Sequence, residues 1–282
     1  MIVAVSPCAV NADMFEDRAE VLGVDFVHFA GVSGEYYIVE ISGPGCGMLD
    51  YDNDGDLDLY LIQGEMLGPD KSVADAHLPP QKGHPLRDRL YRNDLVVSQD
   101  GTRTISFTDV TEASGIRAGG YGVGVAVADY DNDGWVDIFL TNFGPNQLWR
   151  NQGDGTFEEV IETAGIDDPR WNSGATFLDF DRDGWLDLFV GCYLDFNYEN
   201  HKICRLPSGI PGYCAPEAFS AVTNRIYRNR GDGTFEDWSL KSGIQRVSGK
   251  TLGVLAADFN RDGWMDVYVA NDMLPNLMLI NQ

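Results

Sequence analysis

Positive charge is scarce in this chain: 20 Lys and Arg stand against 44 Asp and Glu, a formal net charge of −24. A surface so acidic repels nucleic-acid phosphate and anionic lipid, which excludes nucleic-acid binding. No apolar run approaches the ~18 residues of a membrane-spanning helix, so no membrane-spanning segment is expected. Catalytic signatures are missing too: there is no Gly-x-Ser-x-Gly, His-Glu-x-x-His or dinucleotide-binding pattern. The glycine-rich run Gly43–Gly47 (GPGCG) lacks the Lys-Ser/Thr and the helix that a phosphate loop requires. Histidines are few, and His77, His84 and His201 bring no third metal ligand into register, so solvated loop positions are expected for them. Cysteine is sparse and odd in number: Cys8, Cys46, Cys192, Cys204 and Cys214. The last three cluster, and free thiols or a Cys204–Cys214 disulfide suited to an oxidising compartment both fit the sequence.

What the chain does have is one nine-residue acidic loop written four times: Asp50–Asp58 (DYDNDGDLD), Asp129–Asp137 (DYDNDGWVD), Asp179–Asp187 (DFDRDGWLD) and Asp258–Asp266 (DFNRDGWMD). Oxygen side chains recur at loop positions 1, 3, 5 and 9, and glycine at position 6. A hard cation such as calcium demands this pattern, taking six to eight oxygens at ~2.3–2.6 Å. The candidate ligands are Asp50, Asp52, Asp54 and Asp58; Asp129, Asp131, Asp133 and Asp137; Asp179, Asp181, Asp183 and Asp187; and Asp258, Asn260, Asp262 and Asp266. Position 7 would contribute a backbone carbonyl, which explains why Asp56, Trp135, Trp185 and Trp264 can share it. Up to four Ca²⁺ ions are expected. The fourth loop should bind most weakly, because neutral Asn260 replaces a carboxylate and affinity follows ligand charge.

An EF-hand is excluded. It closes with Glu at position 12 between helices, whereas position 12 here is Leu61, Leu140, Val190 or Val269. The flanks are short valine- and aromatic-rich runs, which read as the two strands of a hairpin.

The loops sit inside a larger repeat. A Phe is followed eight residues later by Gly at Phe15/Gly23, Phe107/Gly115, Phe157/Gly165 and Phe235/Gly243. A glycine precedes each loop by five residues (Gly45, Gly124, Gly174 and Gly253), where inner strands would pack closely. After each loop comes a strand ending in Asn: Leu90–Asn93, Leu148–Asn151, Ile226–Asn229 and Met278–Asn281. Two of these run into GDGTF, at Gly153–Phe157 and Gly231–Phe235, a strong hairpin turn signal. Each unit therefore holds about four short strands in two hairpins, the description of a propeller blade. The loop starts lie 79, 50 and 79 residues apart. These intervals argue against a nonapeptide calcium β-roll and place insertions at roughly Gln63–Arg89 and Gly191–Arg225. The periodic Arg92, Arg150 and Arg228 are expected to pair with loop carboxylates or cap the next turn. Trp135, Trp185 and Trp264 are expected to pack the blades.

The run Tyr121–Phe157 (YGVGVAVADYDNDGWVDIFLTNFGPNQLWRNQGDGTF) resembles the FG-GAP/VCBS repeats of integrin-α-type propellers. With Tyr36–Asp50 (YYIVEISGPGCGMLD), the repeated RN and GDGTF pieces and Cys204–Cys214 (CRLPSGIPGYC), the chain is more similar still to the cartilage acidic protein family, whose members often carry an ASPIC/UnbV domain. That resemblance spans nearly the whole chain from about Phe15. It implies a secreted or cell-surface, calcium-binding, seven-bladed propeller. Nothing in the sequence is similar to the ASPIC/UnbV domain, so any role of that domain is not carried over.

The fold expected is therefore all-β, a β-propeller with four repeats present over residues 15–282, part of a seven-bladed propeller truncated at the C-terminus. A closed four-bladed ring, with Met278–Asn281 paired to Phe15–Arg18, is the other arrangement. Residues 1–14 read as the remnant of a signal region: Met1–Val10 is apolar but short, no base precedes Arg18, and Val10-Asn11-Ala12 is a tolerable cleavage site. Cys8 lacks a lipobox. The expected location is extracellular, periplasmic or cell surface. The function expected is a non-catalytic binding or adhesion module for a protein or glycan ligand. A carbohydrate-active lyase or oxidoreductase on the same propeller, or a scaffold domain of a larger protein, is the alternative.

Overall fold

The computed structural model describes residues 14–282. The expected signal remnant, with Cys8 and the Val10-Asn11-Ala12 site, lies outside the described residues apart from Met14. The chain is all-β, with several antiparallel sheets and only short helical turns, of which Ile161–Ala164 is α-helical.

Three sheets are four-stranded meanders whose strands run in chain order. The first holds Cys46–Leu49, Asp58–Leu61, Arg89–Asn93 and Phe107–Asp109. The second holds Tyr121–Ala128, Asp137–Phe143, Gln147–Asn151 and Phe157–Glu159. The third holds Asn172–Leu178, Asp187–Cys192, Arg225–Asn229 and Phe235–Asp237. The fourth has three strands, Thr251–Ala257, Asp266–Asn271 and Leu277–Leu279. Every acidic loop joins the first strand of a sheet to the second, and its position 9 is the first residue of that second strand. Apolar residues follow the loops because the second strands run inside, Asp137–Phe143 almost wholly and Asp187–Cys192 throughout, whereas the first strands are mostly half-buried.

The alternative arrangement, Met278–Asn281 paired with Phe15–Arg18, does not occur. Phe15 is 89% exposed and outside any strand. The segment turns at Arg18, whose carbonyl accepts from Leu22 N–H at 2.8 Å, and it then docks beside the first sheet through Phe107 N–H to Leu22 O at 2.7 Å.

Successive sheets pack in chain order with an apolar layer between each pair. Tyr60, Leu90, Ile138 and Leu140 fill the first layer; Phe139, Leu148, Leu188 and Tyr227 the second; Phe189, Ile226, Val267 and Val269 the third. Each such side chain contributes roughly 1.5–3 kcal/mol on burial. Inner strands meet glycine to glycine: a Cβ on Gly45 would lie 3.0 Å from Gly124 Cα, and one on Gly124 only 2.2 Å from Ser173 O. This is the close approach expected of those glycines, and it makes the fold propeller-like.

The insertions span slightly less than expected, because Arg89, Gly191, Cys192 and Arg225 already belong to strands. Both connect the second strand of a sheet to the third, at the opposite end from the acidic loops. Over them packs an aromatic cluster of Tyr37, Trp171, Tyr193, Phe196 and Phe219. Cys204 and Cys214 are disulfide-bonded, closing the small hairpin of Cys204–Arg205 and Pro211–Gly212. Cys46 and Cys192 are free, one exposed and the other buried.

Candidate metal centre

Each loop is held open by its own backbone. The position 1 carboxylate accepts two N–H groups, from positions 5 and 6: for Asp129 these come from Asp133 at 3.0 Å and Gly134 at 2.9 Å. The same pair serves Asp50, Asp179 and Asp258. Position 4 and position 6 both have positive φ, near 57° at Asn53 and 92° at Gly55 and Gly134. Glycine is the residue that takes the second of these without strain, which is why position 6 never varies.

Position 9 anchors the loop to the sheet. Asp137 Oδ2 accepts Tyr130 N–H at 3.2 Å, and its Oδ1 accepts Asn151 N–H at 2.8 Å. Asp58, Asp187 and Asp266 repeat both bonds. These four aspartates are almost fully buried. Burial pushes the carboxyls of Asp58, Asp187 and Asp137 up, to about 6, about 7 and about 8 respectively, opposed by the N–H donors and reinforced by neighbouring carboxylates. Asp52 and Asp131 are also raised, first by burial and then by the position 5 carboxylate.

Three trios result: Asp50, Asp52 and Asp58; Asp129, Asp131 and Asp137; Asp179, Asp181 and Asp187. In each, one oxygen per residue lies within 4.8 Å of the others. The Oδ1 atoms of Asp52, Asp131 and Asp181 are buried and have no hydrogen-bond partner, as is Oδ1 of Asp56. Carboxylates crowded together with inward, unpaired oxygens carry a cost that a cation removes. The residues present therefore fit a hard divalent ion, and these clusters could hold one.

The fourth loop keeps the backbone pattern without a carboxylate trio, because Asn260 stands at position 3. Position 5 residues Asp54, Asp133, Asp183 and Asp262 lie at the rim, where each accepts the position 7 N–H, from Asp56, Trp135, Trp185 and Trp264 respectively.

The arginines divide. Arg228 binds Asp181 and Asp183, the latter at 2.8 Å. Arg150 Nε lies 3.6 Å from Asp131, whereas Arg92 turns to Asp94 at 2.7 Å, a residue with no acidic counterpart after Asn151 or Asn229. Trp135 and Trp185 pack against Gly153 and Gly231 of the following turns, and Trp264 stacks on Arg182 of the preceding loop at 5.1 Å.

The histidines stay apart from the loops. His84 Nδ1 meets Asp25 O and His201 Nε2 meets Glu35 O, both at 2.8 Å. His201 is no solvated loop residue: its ring packs 4.6 Å from Tyr37.

Two sets of positioning residues were not assigned from sequence. The strand-ending Asn of the second, third and fourth sheets reaches the preceding sheet: Asn151 Nδ2 donates to Tyr51 O at 2.8 Å, Asn229 Nδ2 to Tyr130 O at 2.8 Å, and Asn281 Nδ2 to Phe180 O at 2.6 Å. All three acceptors are position 2 carbonyls, so each loop is locked to the next sheet. Five residues upstream of that Asn, the oxygens of Asp88, Asn146, Asn224 and Asn276 accept the N–H of Gln63, Asn142, Cys192 and Asn271. The fixed five-residue spacing was the available signal. In the first sheet the position is Asp88, whose other oxygen accepts Tyr60 O–H at 2.9 Å; burial pushes its carboxyl up to about 6, against those two donors.

A family model for FG-GAP-like repeats matches residues 129–190 and 215–269. These two stretches carry FG-GAP-like repeats. The matched stretches contain the second, third and fourth loops, and the first loop shares their hydrogen bonds. Over 48 residues, 17% of this chain, it is 44% identical to cartilage acidic protein 1 of Xenopus tropicalis and of Homo sapiens. That match covers 7% of either relative's length. Among solved structures, an Agrocybe aegerita lectin described as recognising non-reducing terminal N-acetylglucosamine aligns over 84% of this chain and 65% of its own. The identity there is 19% and the TM-score 0.31.

Proposed function

We propose that residues 15–282 are blades of a β-propeller that binds calcium at its acidic loops and serves outside the cytoplasm as a non-catalytic binding or adhesion module. The observation that carries this reading is the trio geometry. In three sheets, positions 1, 3 and 9 gather their oxygens within 4.8 Å, with the position 3 Oδ1 buried and unpartnered. Asp50, Asp52, Asp54, Asp56, Asp58 and their counterparts in the other loops are the proposed ligands, position 7 acting through its carbonyl. The ion would neutralise the loop and stiffen the first hairpin of each sheet, through position 9, onto the strand-ending Asn and so onto the neighbouring sheet. Calcium at the weak affinities of extracellular modules, ~10⁻⁴–10⁻³ M, suits that setting, as does the Cys204–Cys214 disulfide.

The ligand, a protein or a glycan, would meet the face opposite the loops, where both insertions lie. That face holds a cavity of about 460 Å³ lined by Phe143, Tyr198, Glu65 and Asp195. Among the described residues no helix is long and apolar enough to cross a membrane. Replacing Asp131 and Asp133 by Ala tests the metal role. Thermal stability should fall in millimolar calcium and hardly change in chelator. An equal loss in both would show that the loop carboxylates do not act through a cation.

A further inference from the structure

The four loops share one backbone, yet their position 5 carboxylates differ. One oxygen of each accepts the position 7 N–H, at 3.1 Å for Asp54, 2.9 Å for Asp133, 3.0 Å for Asp183 and 2.9 Å for Asp262. The second oxygen is the one left to face a cation. In the third loop it is taken: Arg228 Nη2 donates to Asp183 Oδ2 at 2.8 Å while Arg228 Nε grips Asp181 Oδ2. The fourth loop is closed in another way, with Asn260 Nδ2 donating to Asp262 Oδ2 at 2.8 Å. Among the described residues, Asp54 and Asp133 have no donor on that oxygen.

The sequence explains the split. Arg92 would reach the first loop as Arg228 reaches the third, but Asp94, directly after Asn93, intercepts it at 2.7 Å. Gln152 follows Asn151 and Arg230 follows Asn229 at the same place, so neither can draw off its arginine. Arg150 comes only as near as 3.6 Å to Asp131 and leaves Asp133 alone. In the fourth sheet Ile280 replaces the arginine, and Asn260 supplies the internal donor instead.

We infer that the loops form two classes of divalent-cation site. The first and second are open, whereas the third and fourth are plugged by a side chain of this chain, Arg228 and Asn260, which the ion must displace. The inference rests on the calcium reading above. Arg228 brings a full positive charge as well as two donors, so the third loop gives up both an oxygen and net negative charge, the quantity that sets affinity. The chain would then load the first and second sheets at low calcium and complete the third and fourth only at higher calcium. The degree of stiffening would follow the calcium level rather than switch once.

Calorimetric calcium titration of the full chain, with thermal melts alongside, tests this. The wild type should show two tight sites and a second class weaker by about tenfold or more. Arg228→Met removes the charge and the donors, along with the guanidinium that lies over Trp238; it should move one site into the tight class and lower the melting temperature in chelator. Asn260→Asp lies on an exposed loop and should move the fourth site in the same direction without depending on the first variant folding. Asp94→Asn, freeing Arg92, should weaken one tight site. Unchanged classes in Arg228→Met and Asn260→Asp would overturn the inference. So would weaker binding in Arg228→Met, since the arginine would then be orienting Asp181 for the ion instead of competing with it. No calcium uptake by the wild type would remove the calcium reading itself, a different result from uptake with unshifted classes.

Discussion

Asp88→Asn should stabilise the protein at neutral pH. Asp88 sits between the second and third strands of the first sheet, 7% exposed, with Gln63 N–H at 2.7 Å and Tyr60 O–H at 2.9 Å as its donors. Burial outweighs those bonds and lifts its carboxyl from 3.8 to about 6. A carboxyl raised in the folded state binds its proton more tightly there than in the unfolded chain. Its favourable contribution is therefore full below about pH 4 and lost as pH rises through 6. Roughly two pK units correspond to about 3 kcal/mol. Asn can accept from Gln63 N–H and lie against Tyr60 O–H without a charge, although it forfeits charge-assisted bonds, so a gain of about 2 kcal/mol is expected. The other sheets already carry Asn at this place, as Asn146, Asn224 and Asn276. For a domain of this size the gain is about 4–8 °C in melting temperature. Melts from pH 4 to 8 at fixed calcium should show the variant above wild type at pH 7.5, with the gap closing toward pH 4. A variant equal to or below wild type at pH 7.5, or a gap independent of pH, would refute the reasoning.

Asn229→Ala removes two donated bonds, to Tyr130 O and Leu186 O, and orphans Gly231 N–H in a site 1% exposed. The expected loss is about 3 kcal/mol by denaturant titration, whereas Asn53→Ala, losing one exposed bond to Gly134 O, should cost less than about 1 kcal/mol. Gly124→Ala drives a Cβ to 2.2 Å from Ser173 O and should cost about 3 kcal/mol or more, while Gly253→Ala meets nothing within 4 Å and should be close to neutral. Equal losses at the two glycines, measured the same way, would contradict the close packing of inner strands.

Much of this was legible because the repeat is written in residues with a single local solution. Gly at position 6 follows from a positive φ, and apolar Leu140, Val190 and Val269 at position 12 from their burial between sheets. The pairing of Arg150 and Arg228 with loop carboxylates was foreseen. Arg92 behaves differently because of one neighbouring acid, Asp94, which a periodic reading passes over. What sequence did not convey were contacts between distant residues. Asn151 to Tyr51 is such a bond, since a strand-ending Asn looks like a turn residue until the neighbouring sheet is in place. Phe15 shares the spacing to Gly23 that marks the repeat, and Leu22 meets Phe107 as Ser114 meets Phe157, yet Phe15 itself lies outside any strand. His201 was read as solvated because the aromatic cluster around it is assembled from residues far apart in the chain.

The central claim is that the acidic loops hold calcium and that the ion tightens the sheets. A thermal melt of the wild-type chain in millimolar calcium and again in excess chelator tests it most directly, with magnesium as the smaller-ion control. The account predicts a melting temperature several degrees higher in calcium than in chelator, with a smaller rise in magnesium. Identical melts in calcium and chelator would contradict it.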